Sequence, residues 1–147
     1  MISAEFDLVV KPGTLHRSDM GTITGQVWAC LGEEQFPEPN WSDLIVGFLS
    51  GFVAAVSEAE RTSQPQVAPF LDGPFELRIE PSTPTNWKVS AHERANPKAE
   101  AAVTVSADTV KRSLAQAART IASECRRRGW SSRELDSLAR ASNLRVD

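Results

Sequence analysis

Apolar residues in the middle of the chain recur with the spacing of a helix. Successive members are alternately one and three positions apart. They are Leu44, Ile45, Phe48, Leu49, Phe52, Val53 and Val56. This spacing places them on one helix face. Asn40 suits the N-cap position, and Asp43 would add negative charge to the first turn. The pattern predicts a helix over 41–59, with its apolar face buried against a sheet.

Two glycines, Gly47 and Gly51, lie within this helical segment. Each costs about 1 kcal/mol relative to alanine inside a helix. We therefore expect a close approach between the helix and a sheet at these positions.

Alternating apolar and polar residues predict strands on both sides of the central helix. A break at Pro12-Gly13 should end the first strand, and Gly25 suggests a bulge in the second. The predicted strands cover residues 2–11, 22–31, 67–71, 75–80, 87–91 and 101–105.

Two helices are predicted after the last strand. Ser106 is placed to cap a helix that runs to about Arg128, and Gly129 is placed to end it. Ser131 and Glu134 have capping-box spacing at the start of a second helix. We predict one α+β domain over 1–147, with a mostly antiparallel sheet of five or six strands. The central helix packs on this sheet, and a helical pair forms the C-terminal part.

Charge divides the chain into two parts. The net charge is −3 over 147 residues. Residues 1–105 contain 7 Lys/Arg and 14 Asp/Glu, whereas residues 106–147 contain 9 and 5. The two parts could attract each other within the domain, or either could face a partner of opposite charge.

The familiar signatures of catalysis and of phosphate or metal binding are missing from the sequence. It has no P-loop, HExxH or GxSxG motif. Cys30 and Cys125 are far apart in the sequence, and neither belongs to a Cys/His cluster. We expect both cysteines to be buried thiols, and His16 and His92 to be surface or structural residues. A Cys30–His92 dyad stays open, since such partners need not be neighbours in sequence. The expectation is a non-enzyme without cofactor or metal.

The chain shows no sign of export or membrane insertion. Its first ten residues lack a basic segment, and the longest apolar run, residues 44–56, falls short of the roughly 20 residues that a membrane helix needs. We expect a cytoplasmic protein that does not bind membranes.

Two segments resemble a known family pattern. FPEPNWSDLIVGFL (36–49) opens a hydrophobic helix with a tryptophan and an aspartate, and FLDGPFELRI (70–79) is similar to an F-[LM]-D-G-P-[YF] strand-turn-strand. This pattern is found in small bacterial proteins associated with immunity to polymorphic toxins. The resemblance implies that the chain binds and neutralises a cognate toxin in the cytosol.

The acidic loop after the second predicted strand is the first candidate surface. Its carboxylates could serve solubility alone, or could dock a basic partner such as a toxin domain. Trp41 is a candidate anchor, because aromatic side chains dominate interface energetics. The predicted partner-binding residues are Glu33, Glu34, Glu38, Trp41 and Asp43.

The basic C-terminal segment offers an alternative function. Basic residues beside an aromatic one could bind nucleic acid, and the two helices resemble the start of a helix-turn-helix. Two antiparallel helices packed on the sheet explain the same pattern. The residues of this alternative are Arg126, Arg127, Arg128, Trp130 and Arg133.

Overall fold

Two antiparallel four-stranded sheets and three helices form the α+β fold, in place of the predicted single sheet of five or six strands. The structure is a computed structural model, and it describes residues 5–143. The predicted strands are distributed between the sheets, and two short additional strands complete the first sheet. Sequence alternation predicts that a strand exists but carries no information about which sheet it joins.

The first sheet is built around its second strand, which pairs with all the others. Its members are β1 (Phe6–Arg17), β2 (Ile23–Leu31), β3 (Glu34–Phe36) and β4 (Ser42–Asp43). β1 pairs along one edge of β2, while β3 and β4 pair along the other. The two short strands were missed because neither is long enough to show an alternating pattern.

The first strand continues past Pro12-Gly13, where we predicted its end. Lys11 pairs with Gln26 and His16 pairs with Thr24, so β1 carries extra residues opposite Gly25. The predicted irregularity near Gly25 is present, but the additional residues belong to β1. Leu15 in this bulge packs over Gly25, where a Cβ atom would lie 2.7 Å from Leu15 Cδ2. Residues 2–4 of the predicted strand lie outside the described residues.

The second sheet is a meander in which each strand pairs with the next. Its members are β5 (Gln66–Pro69), β6 (Phe75–Pro81), β7 (Asn86–Glu93) and β8 (Ala101–Ser106). These match the four predicted strands to within a few residues. Leu77 and Ile79 are fully buried, as their alternation with charged residues indicates.

The central helix, α1 (Ile45–Thr62), begins four residues later than predicted. Trp41 accepts a backbone hydrogen bond from Val27 at 2.8 Å, and the two residues after Trp41 pair with β2. The backbone that we assigned to the first helical turn is therefore used by the first sheet. Asn40 has a φ of 62° and is not the N-cap, which is Leu44.

The buried face of α1 forms the centre of the hydrophobic core. The helix contacts β2 of the first sheet, β5 and β6 of the second, and both remaining helices. Phe48 is fully buried and stacks on Phe70 with ring centroids 4.3 Å apart, and Phe52 packs edge-on against Phe6. Of the predicted apolar face, Leu44 lies instead at the surface, 37% exposed.

Close packing explains Gly47 but not Gly51. A Cβ atom on Gly47 would lie 2.7 Å from Leu71 Cδ1, so a side chain of the β5–β6 loop approaches the helix there. A Cβ atom on Gly51 would have no neighbour within 4 Å. The predicted contact thus occurs at one glycine, and its partner is a loop residue and not a sheet.

The C-terminal helices begin and end largely where capping chemistry predicts. They are α2 (Ala107–Arg127) and α3 (Arg133–Ala141). The Ser106 hydroxyl accepts from Thr109 N as predicted. The N-cap of α3 is Ser132, which accepts from Leu135 N, and not Ser131 of the predicted capping box. Gly129, with a φ of 77°, ends α2: its N–H donates to Arg126 O, and Trp130 N donates to Cys125 O. These two bonds form a Schellman motif.

Helix α2 covers the outer edge of β1. The Leu8 N–H donates to Ser113 Oγ at 2.7 Å, and this hydroxyl donates to Asp7 at 2.9 Å. Lys111 of α2 is 5% exposed and pairs with Glu60 of α1. The basic C-terminal part is therefore fixed to the acidic part by polar contacts as well as by its apolar face.

Truncation of Phe48 to alanine should destabilise the protein by about 3–5 kcal/mol, because it removes a fully buried ring from the centre of the core. Urea unfolding measures this change. Val67→Ala is the control, since Val67 is 48% exposed. A loss below about 1 kcal/mol for Phe48→Ala would show that the core is not packed around this ring.

Candidate partner-binding surfaces

The carboxylate of Asp43 is buried and fully engaged within the fold. Asp43 is 2% exposed. Its Oδ1 accepts from the backbone N–H of Leu44 at 2.6 Å and of Leu71 at 3.1 Å. Its Oδ2 accepts from the Trp41 indole at 3.0 Å and from Asp72 N at 3.3 Å. We call this arrangement the carboxylate junction.

The carboxylate junction brings together the two segments on which the family resemblance rests. Trp41 packs edge-on against Phe75, with ring centroids 5.4 Å apart. Phe36 packs edge-on against both Phe75 and Phe70. Gly73 has a φ of 82°, and a Cβ atom there would lie 3.2 Å from the Trp41 ring. The two segments therefore join the first sheet to the hairpin that opens the second.

This geometry changes the roles of two residues that we predicted to bind a partner. Asp43 has a structural role, because its oxygens are buried and accept four hydrogen bonds. Trp41 is half-buried and its indole N–H is used by Asp43. A helix start was the wrong context for both. Asp43 accepts from Leu71 and Asp72, nearly 30 residues further along the chain, and Trp41 packs against Phe75 of β6.

The three glutamates of the acidic loop are exposed to solvent. Glu33 lies in the turn between β2 and β3, Glu34 is the first residue of β3, and Glu38 lies between two prolines before Trp41. Within residues 5–143, none of the three has a cationic nitrogen within 4.0 Å. Their docking role remains a prediction.

An apolar groove near the carboxylate junction was not predicted from the sequence. Among the described residues, three of the four exposed large hydrophobic side chains line it: Met20 (92% exposed), Leu44 (37%) and Leu71 (46%). Its volume is about 320 Å³, and Leu44 and Leu71 also line an adjoining depression of about 230 Å³ beside Asp72. We call these together the apolar groove. The available sequence signal was the position of Leu71, an apolar residue directly before the predicted Asp72-Gly73 turn.

The basic cluster predicted for nucleic acid does not form one free surface. Glu124 accepts from Arg127 and, at 2.7 Å, from Arg128 Nε. Arg128 also donates to the carbonyls of Leu15 and Pro12, which fixes the end of α2 to the bulge of β1. Two of the five predicted residues are thereby committed to contacts inside the protein.

Trp130 is also used within the fold. It is half-buried, and the guanidinium groups of Arg17 and Arg128 lie over its ring at 5.6 and 5.2 Å from the centroid. Arg126 and Arg133, by contrast, are exposed and form no ion pair with a described residue. Of the five predicted residues, Arg127, Arg128 and Trp130 therefore contact other parts of the protein. Arg126 and Arg133 face solvent.

A serine and a histidine lie close together on the outer side of the second sheet. His92 Nε2 is 2.9 Å from Ser90 Oγ, and His92 Nδ1 is 3.1 Å from Asn96 O. The carbonyl can only accept, so Nδ1 carries a proton and donates to it. Ser90 is 1% exposed and His92 is 4% exposed, which closes the pair to a substrate. The pair fastens the β7–β8 loop to the sheet.

Neither cysteine is activated. Burial raises the pKa of both thiols, and the neighbouring charge of Asp7 raises the pKa of Cys30 further. Cys125 is buried as predicted, whereas Cys30 is only partly buried. A raised pKa leaves little thiolate at neutral pH, so the nucleophilic form is scarce.

Two features are absent from the described part of the chain. Residues 5–143 contain no cluster of three or more His, Cys, Asp or Glu side chains placed to hold a metal ion. No helix in this range has the length and apolar character required to cross a membrane.

Comparison of the chain with models of protein families, with curated proteins and with solved structures found no match.

The Glu124 ion pair should make stability depend on pH in a defined window. Hydrogen bonds from Arg127 and Arg128 lower the Glu124 pKa from 4.5 to about 2. A lowered pKa in the folded state stabilises the protein above about pH 4.5, and this contribution is lost as the pH falls towards 2. Glu124→Gln should be less stable than the wild type at about pH 6, and the difference should shrink on acidification.

Chemical denaturation at several pH values measures this effect. Glu38→Gln is the control, because Glu38 is exposed, lies outside the helices and has no ion pair among the described residues. A difference between wild type and Glu124→Gln that stays constant down to about pH 2 would contradict the assignment.

Proposed function

We propose that this chain is a non-catalytic binding protein that recognises a basic protein partner, and that it acts as an immunity protein neutralising a cognate toxin in the cytosol. Three features support the proposal. They are the apolar groove, the carboxylates around it and in the acidic loop, and the resemblance of the two segments that meet at the carboxylate junction.

The observation that carries the proposal is the concentration of exposed apolar side chains in one place. Met20, Leu44 and Leu71 line a single groove, and each is more than a third exposed. Exposed apolar patches bordered by polar residues are typical of protein interfaces. A small number of such side chains usually supplies most of the binding energy. In this proposal Leu44 and Leu71 take the anchoring role that the sequence suggested for Trp41.

The charge around the groove selects the chemistry of the partner. Asp72 and Glu134 border the apolar side chains, and both are exposed. Glu33, Glu34 and Glu38 add exposed carboxylates, and 1–105 carries twice as many acidic as basic residues. A negative surface steers a basic protein towards the groove and raises the association rate. Toxin domains that act on nucleic acid are commonly basic, so they fit this surface.

The experiment compares two equally exposed apolar residues. Leu71 (46% exposed) lies in the groove, whereas Val67 (48% exposed) lies outside it. The wild-type protein is first used to capture a partner from the source cell. The Leu71→Ser variant should bind this partner about ten-fold or more weakly, as expected for an interface hot spot. Val67→Ser should bind like the wild type. Mass spectrometry identifies the partner, and calorimetry with the purified pair measures the affinity.

Two further readouts separate the parts of the proposal. Reversing Glu33, Glu34 and Glu38 to lysine should slow association and reduce its salt dependence, with a smaller effect on dissociation. Expression of the partner alone should arrest growth, and co-expression with this chain should restore it. Equal losses for Leu71→Ser and Val67→Ser, or an acidic and harmless partner, would refute the proposal.

A further inference from the structure

Arginine occupies every seventh position along the two C-terminal helices. Arg112, Arg119 and Arg126 belong to α2, and Arg133 and Arg140 belong to α3. Residues seven apart lie two turns apart on nearly the same side of a helix. All five arginines are exposed, and the buried positions of α2 are almost all apolar. We call these five residues the arginine face.

The two helices bring part of the arginine face together at a groove. Arg119 and Arg126 line it from α2, and Arg140 lines it from α3. The groove has a volume of about 530 Å³. Ser123, Asn143 and the carboxylate of Asp136 also line the groove. Three arginines against one aspartate leave its lining net positive, and the space is large enough for part of an extended chain.

The guanidinium groups of the arginine face are open to an external anion. No carboxylate of a described residue lies within 4.0 Å of any of them, whereas Arg127 and Arg128 are paired with Glu124. Arg119 donates one hydrogen bond to Ser142 O, and Arg140 donates one to Ser137 Oγ. A guanidinium has five N–H donors, so most remain free while these contacts hold the side chains in place.

We propose that the arginine face binds the phosphate backbone of a nucleic acid without reading its sequence. Consecutive arginines on α2 are about 10 Å apart along the axis, and the three span about 21 Å. This row suits an extended polyanion better than a compact one. Guanidinium groups also match phosphate oxygens in a planar, two-bond geometry.

The surroundings favour nucleic acid over an acidic protein segment. Protein interfaces depend on exposed apolar or aromatic anchors. Among the described residues, the exposed large hydrophobic side chains are Met20, Leu44, Val67 and Leu71, and none of them lines the groove between α2 and α3. The apolar contribution to that groove comes from Ala122 and Ala139. A polar, positively charged surface without an anchor is typical of phosphate contacts.

Fluorescence anisotropy tests this surface with labelled duplex and single-stranded oligonucleotides of about 20 residues at low salt. The wild type should bind both. The triple variant Arg119→Ala/Arg126→Ala/Arg140→Ala should bind at least about ten-fold more weakly. Its slope of log affinity against log salt for duplex should fall by about two to three, since each lost phosphate contact removes about 0.9.

A matched pair of neighbouring residues controls for the general loss of positive charge. Arg126→Ala should weaken binding, whereas Arg127→Ala should leave it within about two-fold, because Arg127 is already paired with Glu124. Circular dichroism confirms that each variant is folded. Failure of both oligonucleotides to bind, or equal effects of Arg126→Ala and Arg127→Ala, overturns the proposal. Binding of polyglutamate but not of oligonucleotides, with the same arginine dependence, assigns the face to an acidic protein and also overturns it.

Discussion

The hydrogen bonds of the Asp43 carboxylate connect the two sheets. A carboxylate that is taken out of water is stable in a protein only when donors replace its hydration. Here an indole N–H and three backbone N–H groups do so, and two of these donors belong to the β5–β6 hairpin. The hairpin is thereby held against the start of α1, which places Leu71 over Gly47 and beside Leu44. The apolar groove depends on this contact, because Leu44 and Leu71 both line it.

The surface has two chemically distinct regions. The proposed protein-binding groove combines apolar side chains with carboxylates, and it lies where the hairpin meets the first turn of α1. The arginine face lies on α2 and α3, whose inner sides are buried against the rest of the fold. Some of the opposite charges in the two parts of the chain pair with each other, as Lys111 does with Glu60. The remainder faces solvent.

Features that depend on local sequence were predicted, and features that depend on distant partners were not. The strands of the second sheet follow from the alternation of apolar and polar residues. Helix α2 begins at the hydroxyl cap of Ser106 and ends at Gly129, which adopts a positive φ. The predicted start of α1 was wrong because the backbone at Trp41 hydrogen-bonds to β2 and does not form a helical turn. The role of Asp43 was missed because one of its donors, Leu71, lies 28 residues away in the sequence. The seven-residue spacing of the arginines was visible in the sequence, but only the packing of the helices shows that Arg119, Arg126 and Arg140 line one groove.

Amide hydrogen exchange at Leu71 and Asp72 tests the carboxylate junction most directly. Both N–H groups donate to Asp43, so in the wild type they should exchange slowly although both residues are exposed. Replacement of Asp43 by alanine should speed their exchange by about ten-fold or more, and Glu38→Ala should leave it unchanged. Equal protection of these two amides with and without the Asp43 carboxylate would contradict the account.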